Sequence, residues 1–239
     1  MWLLSNKVPV GDSGILEGFR DCHCHLLPDV DDGVKKKDET LRILQTWEEM
    51  GVSEIWLTPH VMEDYPNTPE ELEGRFQELQ STYNGSISLH LAAEHMMDGL
   101  FASRLKDDRL LPIGREGDRL LVETSYYIPP MNMESTIDNI RKKGYNPVLA
   151  HPERYQYMEA RDYKKWKQKG VLLQLNVPSL VGAYGPDVQR KAEWLLAHGM
   201  YDYCGTDTHS MNYVRYFLNS TISKKIIKDV LCISKEQVL

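Results

Sequence analysis

Short apolar runs alternate along the chain with longer stretches whose apolar positions recur every three or four residues. The short runs predict strands over residues 19–23, 54–58, 87–92, 120–123, 147–150, 171–175 and 201–205. The longer stretches predict helices. Residues 38–50 carry Leu41, Ile43, Leu44 and Trp47 at helical spacing, and Gly51 suits the left-handed end of such a helix. Thr68-Pro69-Glu70-Glu71 opens another with a capping hydroxyl, a proline of preset φ and acids at the positive helix end. Further helices are expected over 133–143, 162–169 and 187–198, the last two followed by Gly170 and Gly199. Repeated strand–helix alternation requires parallel strands joined by crossovers, hence an α/β barrel or a doubly wound sheet. No repeat or linker divides the chain, so residues 19–239 are expected to form one domain, preceded by an irregular extension over residues 1–18. The length of 239 residues is enough for a single barrel.

Charge and cysteine usage narrow the function classes. A net charge of -7 without a long basic run argues against a general nucleic-acid binder, since phosphate-backbone affinity comes largely from Lys and Arg. The apolar part of Met1-Trp2-Leu3-Leu4-Ser5-Asn6-Lys7 is short for a secretory signal, and no later stretch has the apolar length of a membrane span. A cytoplasmic location is expected. Cys22, Cys24, Cys204 and Cys232 are too few for a disulfide framework in a chain this long. None is followed six positions later by Arg, which excludes the cysteine-dependent phosphatase loop.

The chemically capable side chains fall at the ends of the predicted strands. The first run closes on Asp21-Cys22-His23-Cys24-His25, where a period of two sends both imidazoles to one face and Cys22 and Cys24 to the other. Other runs end in Thr58-Pro59-His60, Ala93-Glu94, Val122-Glu123, Ala150-His151 and Gly205-Thr206-Asp207-Thr208-His209. Barrel enzymes build their sites at this end. An unpaired carboxylate following an apolar run is costly to bury, so Glu94, Glu123 and Asp207 call for a cation or donors. A lone histidine is more often an ordinary hydrogen-bonded group than a ligand, and His90, His95 and His198 are read that way. The three buried-run cysteines are read as small packing residues, and Lys35-Lys36-Lys37 as a solvated turn.

The segments Asp21-Cys22-His23-Cys24-His25-Leu26-Leu27-Pro28, Val30-Asp31-Asp32-Gly33, Thr58-Pro59-His60, Ala93-Glu94, Val122-Glu123, His151-Pro152-Glu153-Arg154-Tyr155 and Thr206-Asp207-Thr208-His209 occur in an order the chain shares with a known group. Through them it resembles the PHP (polymerase and histidinol phosphatase) superfamily, and within it the capsule-associated bacterial tyrosine phosphatases of the CpsB/YwqE type. Asp29 stands where those relatives often have Gly, and Thr206 where Ser is common. The resemblance implies a distorted (β/α)7 TIM-like barrel, the PHP fold, holding three divalent ions. It assigns His23, His25, Glu94 and Asp207 to one ion, Glu94, Glu123 and His151 to a second, and Asp32, His60 and His209 to the third. Nitrogen and carboxylate donors together suit manganese, iron or zinc better than calcium and do not choose among those three; manganese is the expected one.

The implied reaction is hydrolysis of a phosphate monoester, phosphotyrosine on a protein, with Arg154 and Arg215 gripping the phosphoryl oxygens through their guanidinium forks. The implied partner is a bacterial tyrosine kinase of capsular or exopolysaccharide export, with neither nucleic acid nor membrane insertion involved. An alternative is a small-molecule phosphatase of the same superfamily, such as a histidinol-phosphatase-like enzyme. An amidohydrolase-like barrel also opens with H-x-H but carries a bridging lysine or a different histidine order. A noncatalytic module requires missing ligands, which this sequence does not have.

Overall fold

The computed structural model describes residues 6–239. In chain order its elements are β1 (Lys7–Pro9), β2 (Arg20–Cys24), α1 (Lys37–Glu49), β3 (Glu54–Leu57), β4 (His60–Val61), α2 (Pro69–Gln80), β5 (Ser88–Leu91) and β6 (Glu94–Met96). They continue with α3 (Phe101–Lys106), β7 (Arg119–Glu123), α4 (Met133–Lys142), β8 (Asn146–Ala150), α5 (Ala160–Gln168), β9 (Leu172–Asn176), α6 (Pro186–Ala197), β10 (Tyr203–Gly205), α7 (Met211–Asn219), β11 (Thr221–Ser223) and α8 (Lys224–Glu236). Every expected strand and helix has an observed counterpart. α1 buries Thr40, Ile43, Leu44 and Trp47 along one face. α2 starts with the capping hydroxyl expected from its sequence, Thr68 Oγ1 accepting from the Glu71 amide at 3.3 Å, and Glu71 adds a reciprocal bond, its Oε2 accepting from the Thr68 amide at 3.2 Å.

Two parallel sheets carry the molecule, one of six strands in the order β10-β9-β8-β7-β6-β4 and one of three in the order β2-β3-β5. The chain steps directly from the smaller sheet to the larger one twice, β3 running on into β4 across Thr58-Pro59 and β5 into β6 across Ala92-Ala93, and it returns between them through α2. At the opposite margin the Asp207 amide donates to the His23 carbonyl at 2.7 Å, and the His25 amide to the Thr208 carbonyl at 2.9 Å. Side chains from both sheets then share one inner apolar cluster, including Cys22, Trp56, Leu121, Val148 and Tyr203, with Leu239 packed among them. A larger cluster lies between strands and helices and contains Ile43, Trp47, Ile137 and Phe217. The result is a mixed α/β fold in which the strands' carboxyl ends gather at one pole.

Two expectations are corrected. Residues 6–18, read as irregular, include β1, which pairs antiparallel with β11, and they bury Val10, Ile15 and Leu16. Cys22 and Cys24 do not share a face. The pairing of β2 with β3 shifts register between Asp21 and Cys24, and Cys24 turns into the outer cluster while Cys22 stays in the inner one. Both cysteines are buried packing groups, as is Cys204.

Candidate metal centre

Nine side chains singled out from the sequence meet at this pole. The donor atoms of His25, Asp32, His60 and His209 lie within 4.8 Å of one another, and so do those of His23, His25 and Asp207, of His23, Glu94 and His151, and of His60, Glu94 and Glu123. These groups overlap more than the expected partition into three sets. Glu94 is the hinge: Oε2 lies 3.2 Å from His23 Nε2 and 3.2 Å from His60 Nδ1, while Oε1 lies 2.9 Å from His151 Nε2. His60 also approaches Glu123 Oε1 at 3.1 Å and Asp32 Oδ1 at 3.4 Å. His90, His95 and His198 stay outside. His90 stacks on Trp56 and His198 on Trp194, and His95 Nε2 accepts from the Leu111 amide. Burial, aided by Arg104, lowers His95 to about 3, so its ring is neutral.

The electrostatics describe a pocket balanced by opposed charge. Burial disfavours protonation of His23, yet Glu94 and Asp207 override it and push its pKa up to about 9. Burial likewise opposes ionisation of Glu94 and Asp207, but His23 and His151 hold Glu94, and His209 and His23 hold Asp207, well below the usual carboxylate range. Divalent cations fit this set. Glu94 Oε2, Glu123 Oε1 and His60 Nδ1 are buried without a hydrogen-bond partner although they face each other, and His23 and His25 bring Nε2 atoms within 3.2 Å. Lone pairs converging in this way are expensive unless a cation takes them, and the nitrogen–carboxylate mixture suits a transition ion.

Backbone geometry aims two of these groups. His151 and Asp207 sit in the left-handed region with φ of 32° and 53°. Asp29, at the position where glycine was the commoner residue by resemblance, is left-handed too, with φ of 60°. Thr206 keeps a hydroxyl in place of the commoner serine, and with its amide it donates to Asp21 at 2.6 and 2.8 Å.

The two arginines diverge. Arg154 Nη1 lies 2.8 Å from Asp207 Oδ2, and its guanidinium is sandwiched between the rings of Tyr126 and Tyr184 at 4.3 and 4.2 Å. Arg215 is exposed on α7, and no hydrogen bond or ion pair joins its side chain to the nine.

Sequence reasoning missed the supports beneath the cluster. Asp31 Oδ2 pairs with His25 Nδ1 at 2.8 Å and accepts from the His60 amide at 2.9 Å. Gln174 Oε1 pairs with His23 Nδ1 at 3.0 Å and accepts from the His151 amide at 3.1 Å. Asn176 Nδ2 donates to Asp207 Oδ2 at 2.9 Å. The available signal was Gln174 and Asn176 interrupting an otherwise apolar strand.

The sequence pattern of the family described as capsular polysaccharide synthesis, CpsB/CapC, matches residues 19–229. The tyrosine-protein phosphatase YwqE of Bacillus subtilis is 25% identical over 197 residues, covering 80% of this chain and 77% of its own. The tyrosine-protein phosphatase CpsB of Streptococcus agalactiae is 25% identical over 217 residues, covering 83% of this chain and 86% of its own. Among solved structures, a crystal structure from the work on YwqE from Bacillus subtilis and CpsB from Streptococcus pneumoniae, described as unique metal-dependent tyrosine phosphatases, superposes with a TM-score of 0.76. It covers 88% of this chain and 85% of its own at 23% identity, a likeness of fold. An amidohydrolase from Mycoplasma synoviae reaches a TM-score of 0.53 at 12% identity, covering 99% of this chain and 92% of its own. The chain belongs to the CpsB/CapC family of capsular polysaccharide synthesis.

Proposed function

We propose that this chain is a metal-dependent phosphomonoesterase that removes phosphate from tyrosine side chains of a protein, and that its target is a bacterial tyrosine kinase of capsule or exopolysaccharide export. The observation that carries this reading is the convergence of nine nitrogen and carboxylate donors, some with buried lone pairs left unpartnered, beside a guanidinium held between two rings. Relatives named tyrosine-protein phosphatases support it. We read the fold as a distorted (β/α)7 barrel in which β3 with β4, and β5 with β6, each count as one strand. Residues 19–239 are taken as its catalytic domain, with residues 1–18 added to it. A cytoplasmic location suits the four unpaired cysteines.

His23, His25, Asp32, His60, Glu94, Glu123, His151, Asp207 and His209 would hold three divalent ions, manganese foremost. Such ions, when bound, supply ionised water near neutral pH and positive charge for the phosphoryl oxygens. The protein's own side chains do the rest. Arg154 spends one nitrogen on Asp207 and keeps the remaining donors of its fork for phosphate. Tyr126 and Tyr184 fix the plane of that fork from both sides. Asp31 and Gln174 hold the rings of His25 and His23, so the donors need no rearrangement to be productive. Burial of Glu94, Glu123 and Asp207 keeps bulk water from screening their charge.

Metal analysis of the purified protein tests this reading together with hydrolysis of a phosphotyrosine peptide and of histidinol phosphate. We expect bound divalent ions, preference for the peptide, and a fall in kcat of at least ~100-fold in His151→Ala. Protein free of metal, or faster turnover of histidinol phosphate, would overturn it.

A further inference from the structure

Large apolar side chains stand exposed among the described residues at Leu100, Tyr127, Ile128, Met131, Tyr216 and Val238. Three of the six fall within five consecutive positions, where Tyr127 is 68% exposed, Ile128 is 71% exposed and Met131 is fully exposed. Scattered exposure of single apolar groups is ordinary, whereas a contiguous group of this kind marks a contact surface. The segment Ser125-Tyr126-Tyr127-Ile128-Pro129-Pro130-Met131-Asn132 contains no charged residue, and its two prolines restrict its conformations before anything binds.

Its position is more telling than its composition. The segment leaves the carboxyl end of β7 directly after Glu123, and Thr124 is tied down by Tyr155 and Tyr157 through hydrogen bonds of 3.2 and 2.6 Å. Tyr126 covers Arg154 with its ring and accepts the Gln156 amide on its carbonyl at 2.8 Å. Leu100 belongs to the neighbouring loop that follows β6, and the two loops face each other across a cavity of about 260 Å³ lined by Gly99, Phe101, Pro130 and Asn132. The apolar shelf is therefore continuous with the rim of the metal centre on the Tyr126 side of Arg154.

We infer that this shelf docks the polypeptide on either side of a phosphotyrosine, through apolar residues of that polypeptide, while the phosphorylated side chain enters the site. The inference rests on the phosphatase reading and adds to it the surface that separates a protein substrate from a small phosphate ester. Glu94, Glu123 and Asp207 are buried and the Arg154 side chain is only 17% exposed, so a phosphotyrosine reaches them by its side chain while its backbone stays outside. A backbone held at the rim passes over the loops leaving β6 and β7. A proline-stiffened segment bearing Tyr, Ile and Met and no charge of its own, with Glu134, Arg161, Asp162 and Lys165 lining the groove beside Met131, offers such a chain apolar contact at its centre and charge only at its edge.

The test is a triple variant, Tyr127→Ser, Ile128→Ser and Met131→Ser, whose positions are exposed and leave the core intact. Two substrates are compared on variant and parent: p-nitrophenyl phosphate, and a pentapeptide with phosphotyrosine flanked by leucines. A dye-labelled copy of that peptide carrying the nonhydrolysable phosphonate reads binding by fluorescence anisotropy. The expected result is a rise of about tenfold in KM for the peptide and in Kd for its phosphonate, with kcat and all p-nitrophenyl phosphate constants unchanged. Peptide constants that do not move overturn the docking surface and leave the phosphatase reading standing. Loss of anisotropy binding in a protein whose parent turns over neither substrate keeps the docking surface and overturns the phosphatase reading. A parent that sediments as an oligomer and a variant that sediments as a monomer would instead assign the shelf to a second copy of the chain, which also overturns it.

Discussion

The carboxylate of Asp31 meets three partners at once: the His25 ring, the His60 amide and the Gly33 amide, all between 2.8 and 2.9 Å. One short side chain thus orients two of the nine donors and fixes the turn that presents Asp32. Replacing it by Asn leaves the volume but offers a donor where an acceptor is needed, so Asp31→Asn should weaken divalent-ion affinity roughly 10–100-fold, measured by titration against a chelator of known affinity. Unchanged affinity would remove Asp31 from this role. The pair Asp31-Asp32 also shows what a sequence conceals. Both carboxylates belong to the same recognised segment, and only the three-dimensional turn shows that Asp31 faces inward and Asp32 stands half exposed beside His60 and His209.

Elements are held in register around these residues by close backbone contact. β10 approaches β2 so tightly that a Cβ at Gly205 would lie 2.7 Å from His23 Cβ and 2.8 Å from its amide nitrogen. Gly205→Ala should therefore push the strands apart, lower stability by about 1–3 kcal/mol and reduce bound metal, read by calorimetry and by metal analysis of the same preparation. A variant that melts with the parent and keeps its metal would show that the two strands have slack. The seven main strands were legible because each buries an apolar run. β4 and β6 were not, being two and three residues long and opening with His60 and Glu94 rather than with apolar groups. α7 was hidden by Tyr213, Tyr216 and Phe217, aromatic residues of modest helix propensity, whose helical spacing is clear only once Val214 and Phe217 are seen to be buried. The pairing of β1 with β11 joins positions more than two hundred residues apart, and no local pattern announces it.

At the scale of the molecule, the pole that gathers the strand ends is a store of charge. Asp32, Glu94, Glu123 and Asp207 share one pocket with five imidazoles, and against burial the nearby carboxylates raise His23, His25 and His60 above the free histidine value, so protons on those three rings help offset the carboxylates when no cation does. Ions bound by the folded chain alone stabilise it by mass action. Stripping them with a chelator should lower Tm by roughly 4–8 °C, about 2 kcal/mol for a chain of this length, and adding back manganese should restore it. A Tm indifferent to the chelator would mean that the pocket takes no ions. The opposite pole is closed by different means: Leu239 packs into the inner cluster, and Arg20 donates to the Gln237 carbonyl at 2.8 Å while pairing with Glu54 at 2.7 Å.

The left-handed backbone at His151 gives this division a further meaning. A β-carbon in that conformation costs on the order of 1 kcal/mol, which glycine does not incur. In chelator, His151→Gly should melt several degrees above His151→Ala, although both are equally inactive, and identical melting would show that the residue is unstrained. With the ions stripped away, thermal hardiness and turnover then pull this position in opposite directions. Enrichment for heat resistance in chelator would favour chains that have abandoned the histidine, whereas the same enrichment with manganese present would keep it, because the ions it helps to hold stabilise the fold by more than the strain costs.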